Sequence, residues 1–139
     1  MNKEWSELNK TMQTQLKKKD TFDDGIASLF ELRKQLWNTI LSYKAEFTRG
    51  DFDRIPFINA DGYHSKTVAY SLWHIFRIED IVAHTLIKGD EQVFFAKDYQ
   101  KRTGSPIITT GNELVKQEIA DFSKQLNLAN VSETKSVSV

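Results

Sequence analysis

The chain has 139 residues, 19 Lys+Arg against 19 Asp+Glu, 40% hydrophobic residues and no cysteine. This length supports one sizeable core and argues against two independent domains. The balanced charge excludes a strongly basic nucleic-acid module as the default reading, and the lack of cysteine excludes disulfides, thiolate nucleophiles and cysteine-ligated metals.

Long stretches lack both Pro and Gly, and their apolar spacing is helical. The first predicted helix runs from Asn2 to Lys19, with Trp5, Leu8, Met12 and Leu16 on one narrow stripe. Lys17, Lys18 and Lys19 lie at its end, where positive charge suits the helix dipole. A membrane-surface helix is one reading. Packing within a bundle is the preferred one, because Glu4 and Glu7 dilute the positive face. The opening residues do not lead into an apolar signal segment, and no apolar run approaches the roughly 20 residues of a membrane span. A cytoplasmic location without membrane attachment is therefore expected.

The second predicted helix covers Phe22 to Phe47, with Thr21 and Asp24 resembling an N-cap arrangement. Ile26, Leu29, Phe30, Leu36, Trp37, Ile40 and Leu41 keep a helical period, and Arg33 falls in a gap in the stripe. Gly50, Pro56 and Asp61-Gly62 mark breaks and turns. The third helix is expected from His64 or Ser65 to Ile87. Val68, Leu72, Ile75, Val82 and Leu86 share one side, with Glu79 almost at the centre of that stripe. Tyr70, Trp73, Arg77, Asp80 and His84 lie opposite and read as a solvated face or a partner surface.

A shorter helix is predicted from Glu91 to Lys101, and Thr103-Gly104-Ser105-Pro106 breaks the pattern. The last helix should follow Thr110, which pairs with Glu113 as a capping box. Val115, Ile119, Phe122, Leu126 and Ala129 form its stripe, and the polar end from Asn130 is expected to fray. The expected organisation is one helical-bundle domain over 1–129 and a flexible or altered tail over 130–139. Ile107 to Thr110 suits a small strand but is too isolated to define a sheet. The predicted class is all-α.

Candidate chemistry concentrates on His64, His74 and His84, spaced ten residues apart. Each step rotates a side chain by about 280° on an ideal helix, so one helix cannot present all three together. His74 is the strongest metal-ligand or base candidate, provided other helices supply partners for Zn or Ni. Its structural alternative is a histidine at the core edge, hydrogen-bonded to another side chain. Glu79 is a candidate acid, and its structural alternative is a buried bridge to Arg33 between helices. Trp73, Arg77 and His84 are candidate interface residues. Turn aspartates lack EF-hand spacing, and no P-loop or dinucleotide fingerprint occurs. The short basic clusters at Lys17–Lys19 and Lys97–Arg102 are offset by acids, so nucleic acid is not an expected partner.

The segment from His64 to Asp80, with its Trp73–His74 pair and downstream acids, resembles the DinB-like, YfiT-like superfamily of helical-bundle proteins. The long helix through Leu36-Trp37 and the later helix from Glu113 to Leu126 fit the order of elements. The resemblance implies an up-down bundle and places His74 at one position of a three-histidine divalent-metal site. It also implies an HxxxH pair on a fourth helix, which this sequence lacks. The bundle is expected to be incomplete, or completed by the N-terminal helix or a second subunit.

Two functional readings follow. One is a bundle protein without a complete intrachain metal site and with no tightly bound cofactor. The other is a divalent-metal-dependent transferase or hydrolase, acting with a thiol substrate, with His74 as ligand and Glu79 as acid. A homodimer is expected because the bundle stops one family helix short.

Overall fold

The computed structural model describes residues 3–57, 59 and 66–137. All regular structure among them is helical. Contacts divide the chain into two compact units, Met1–Phe47 and Thr48–Val139, where the sequence suggested one domain over 1–129.

In the first unit, α1 (Lys3–Gln15) and α2 (Phe22–Glu46) form a hairpin around a short 3-10 turn at Lys19–Thr21. Gln15 fastens the reversal: its carbonyl accepts from the Thr21 hydroxyl at 2.9 Å and its side-chain oxygen from Ser28 at 2.8 Å. Thr21 therefore anchors α1 and makes no side-chain cap for α2, contrary to the expected N-cap. Gly25 permits the close crossing, since a Cβ there would lie 2.9 Å from the Leu16 backbone nitrogen. Burial within this unit is thin: α1 has no buried residue, and α2 buries Gly25, Leu32 and Ile40.

The second unit carries α3 (Arg49–Asp53), α4 (Val68–Asp80), a π-helical continuation (Ile81–Lys88), α5 (Val93–Ala96), α6 (Tyr99–Thr103), α7 (Gln117–Gln125) and α8 (Leu128–Val137). Thr48 and Asp51 close a capping box on α3. The Thr48 side-chain and backbone donors hold the Asp51 carboxyl below the ordinary aspartate range. From the start of α3, Arg49 donates to the Leu126 carbonyl at 2.9 Å and the Ser123 carbonyl at 2.7 Å. These carbonyls end α7, so a guanidinium satisfies acceptors that a helix terminus leaves open.

Thr67 caps α4 by accepting from the Tyr70 N–H at 3.0 Å. Its hydroxyl lies 2.6 Å from that of Ser123, which itself donates to the Ile119 carbonyl. Trp73, Phe94, Tyr99, Ile119, Phe122 and Val131 are buried and make up much of the core of this unit.

Several elements differ from expectation for local reasons. The helix predicted from Glu91 to Lys101 is split, because Asp98 adopts a left-handed conformation at φ 57°. The last predicted helix begins at Gln117, after a loop in which Lys116 has φ 46°. The expected fraying tail is helical from Leu128: Val131 is buried and Glu133 accepts from Arg102 at 2.6 Å. Residues 107–110 form no strand. The predicted turn at Asp61-Gly62 and the helix start at His64 lie outside the described residues.

The largest correction concerns the face of α4. Tyr70, Trp73, Arg77, Asp80 and His84, expected on a solvated or partner face, are all buried. Val82 and Leu86, expected on the main apolar stripe, are exposed. Opposite charges and aromatic rings pair on the buried face, so its polar residues do not mark solvent.

Candidate functional site

The most developed polar group in the second unit is built on that buried face. Relative exposures are 2% for Trp73, 3% for Arg77, 1% for Asp80 and 7% for His84. Arg77 Nη1 lies 3.3 Å from Asp80 Oδ2. Its Nη2 donates to Gln92 Oε1 at 2.9 Å and to the Ile108 carbonyl at 2.6 Å. The guanidinium carbon sits 4.0 Å from the centroid of the Phe94 ring, in cation–π geometry. Burial pushes the Arg77 pKa down and the Asp80 carboxylate opposes that shift, which favours the charged guanidinium.

Asp80 also accepts the N–H groups of Val93 and Phe94, both at 2.9 Å. These are the first two amides of α5, whose N-cap residue Gln92 provides no side-chain cap. Asp80 thus replaces the missing cap from another helix. His84 Nδ1 is 2.6 Å from Asp90 Oδ1, and His84 Nε2 is 3.9 Å from Asp80 Oδ1. The histidine ties the π-helical segment to the turn that leads into α5. The cavity beside Trp73, Arg77 and Asp80 has a volume of about 10 Å³. It admits nothing larger than a water molecule. The cluster therefore organises structure and offers no substrate space.

His74 lies on the partly exposed part of the same helix. Its Nδ1 hydrogen-bonds to the Thr110 carbonyl. A carbonyl only accepts, so Nδ1 carries the proton and Nε2 presents the lone pair. The imidazole stacks on Tyr70, with centroids 5.4 Å apart and planes 15° apart. The Tyr70 hydroxyl donates to the Gly111 carbonyl at 3.0 Å. Burial, followed by the charge of Glu113, pushes the Tyr70 phenol above its ordinary range and keeps it a donor. Gly111 allows this loop to approach: its φ is +82°, and a Cβ there would lie 2.8 Å from the Trp73 ring.

The capping box expected of Thr110 and Glu113 does not form, since the last helix begins at Gln117 and its N-cap residue Lys116 makes no side-chain cap. Thr109, one residue before Thr110, donates to Glu113 and accepts from the Gly111 N–H. The Thr109 hydroxyl, followed by a backbone donor, holds the Glu113 carboxyl below the usual glutamate range. The contribution to folding is present above the unfolded glutamate range and is lost as pH falls through the lowered folded value. In Thr109→Val, the Glu113 side-chain carbon should titrate at higher pH than in the parent. An NMR pH series that left it unmoved would remove this role for Thr109.

The described donors do not fit a three-histidine metal centre. No group of three or more His, Cys, Asp or Glu able to hold a metal occurs among the described residues. His74 supplies one imidazole, His84 Nδ1 is engaged by Asp90, and His64 lies outside the described residues. Glu79 is half-buried, as is Arg33. Within the second unit, a buried ion pair joins Arg77 and Asp80. Trp73, Arg77 and His84 form core rather than an open interface. A sequence signal for this core was available: residues 70, 73, 77, 80 and 84 recur at alternating spacings of three and four.

No family model, curated protein or solved structure matches the chain. The DinB-like resemblance rests on the sequence around Trp73–His74 and on the helix order. Among the described residues, no helix is long and apolar enough to cross a membrane.

Proposed function

We propose that the chain is a non-catalytic helical-bundle module of DinB-like type, without a complete intrachain catalytic metal site. One observation carries this reading: the ionisable groups buried on α4 and its π-helical continuation each hold internal partners. Asp80 holds two backbone amides, Arg77 holds Gln92 and the Ile108 carbonyl, and His84 holds Asp90. A cytoplasmic homodimer belongs to the same proposal. What supports the dimer is the exposure of large apolar side chains such as Leu86 and Ile87.

A second reading is favoured by His74. An imidazole whose Nδ1–H is fixed by a carbonyl presents Nε2 in the manner common to metal-binding histidines. That supports a divalent-metal-dependent transferase or hydrolase using a thiol substrate, with Glu79 as a further acid candidate. Loading the purified chain with Zn or Ni, dialysing exhaustively and measuring metal content separates the two. The proposal expects no stoichiometric retention, and light scattering of the same sample should give twice the chain mass. About one retained metal per chain, lost in His74→Ala, would restore the enzyme reading.

A further inference from the structure

We propose that the groove between the start of α1 and the second half of α2 is a binding site for a small alkylated ammonium cation. The groove lies wholly within the first unit and has a volume of about 610 Å³, with Glu4, Trp5, Gln35, Asn38, Thr39 and Tyr43 on its walls. A space of that size accommodates a small organic molecule. The first turn of α1 supplies Glu4 and Trp5. From α2, Gln35, Thr39 and Tyr43 follow one another at intervals of four, so a single helix face brings them to the groove.

The electrostatic features of this wall share one sign. Glu4 carries the only formal charge among the lining residues, and it is negative. Indole and phenol rings add the negative faces of their π systems. A cation is attracted by both, and an anion by neither. The Tyr43 ring stacks on Phe47, with centroids 4.9 Å apart and planes 3° apart, which fixes its orientation. Trp5 is half-buried on a helix that buries no residue, so its indole leaves apolar surface in water. Alkyl groups on the cation cover that surface, which a bare metal ion or ammonium cannot do. The polar wall is partly engaged: the Thr39 hydroxyl donates to the Gln35 carbonyl at 3.1 Å, and Gln35 Nε2 donates to Glu31 at 3.2 Å. The Asn38 side-chain amide and the Trp5 indole N–H make no hydrogen bond among the described residues, which makes both available as reporters.

The test uses the full chain, with choline as probe and 3,3-dimethyl-1-butanol as its uncharged isostere. In ¹⁵N-edited NMR titrations, choline should shift the Trp5 indole and Asn38 amide resonances saturably, and the isostere should bind roughly tenfold more weakly. Glu4→Gln, at an exposed position, should weaken choline binding about threefold or more while retaining the folded spectrum. Trp5→Leu, followed at Asn38, should weaken it roughly tenfold. Shifts that stay linear up to about 50 mM choline would overturn the site. Equal affinity for the isostere would overturn the cation assignment. Choline binding unchanged in both folded variants would also overturn it, since the probe would then sit elsewhere.

Discussion

Replacing Asp80 with alanine should destabilise the second unit by about 3–5 kcal/mol. The carboxylate is 1% exposed and serves three partners: the Arg77 guanidinium and the amides of Val93 and Phe94. Its loss leaves a buried cation and strips α5 of its N-terminal acceptor. Asp121→Ala, on the exposed face of α7, should cost about 1 kcal/mol or less, as surface charges usually do. Urea unfolding of both variants measures the contrast. A double substitution, Arg77→Met with Asp80→Leu, should cost less than Asp80→Ala alone, because no buried charge is stranded. Equal effects of Asp80→Ala and Asp121→Ala would defeat the assignment of the ion pair.

Trp73→Ala should cost about 3–5 kcal/mol, the usual range for emptying a large aromatic site in a core. The indole packs edge-on against Phe122, with centroids 4.7 Å apart and planes at 71°. It also meets Tyr70 at 6.4 Å and closes over Gly111. A partner-facing tryptophan would behave differently. Its truncation would leave the stability of the isolated chain near that of the parent and change only association. Denaturant unfolding at low protein concentration distinguishes the two, and a cost under about 1 kcal/mol would return Trp73 to the surface class.

The long helices were legible because their stripes run without Pro or with no internal break. Phe22 to Phe47 was read to within a residue of the observed Phe22–Glu46. The choice of face on α4 was not legible from polarity. A pattern that separates apolar from charged positions assigns Arg77 and Asp80 to solvent, although pairing offsets part of the desolvation cost of each. Only the regular spacing of those charges with Tyr70, Trp73 and His84 marks them as one buried row. The helix cap expected of Thr110 and Glu113 does not form, because the helix begins later, at Gln117; Thr109 and Glu113 pair within the loop before it, and only the backbone path decides that. The final helix was missed because its apolar content is slight, and Val131 buries itself where polar neighbours on each side hide the signal. For the candidate site, the sequence singled out His74 as a metal-ligand candidate, with a side-chain-bonded histidine at the core edge as the alternative; its observed partner is the backbone carbonyl of Thr110, 36 residues away, which leaves no local trace.

The way Asp80 joins α4 to α5 has a consequence for which fold the chain chooses. A buried ion pair adds little depth to the native minimum compared with well-packed apolar residues of the same volume. Its weight falls on the competitors. Sliding α5 by one turn along α4 would strand the Val93 and Phe94 amides, the carboxylate and the guanidinium together, all away from water. An all-leucine seam would tolerate such a slip at modest cost, whereas this one penalises every register but its own. The network thus acts as a key between two short, weakly encoded helices, selecting one alignment from many that hydrophobic contact alone would leave nearly equal in energy.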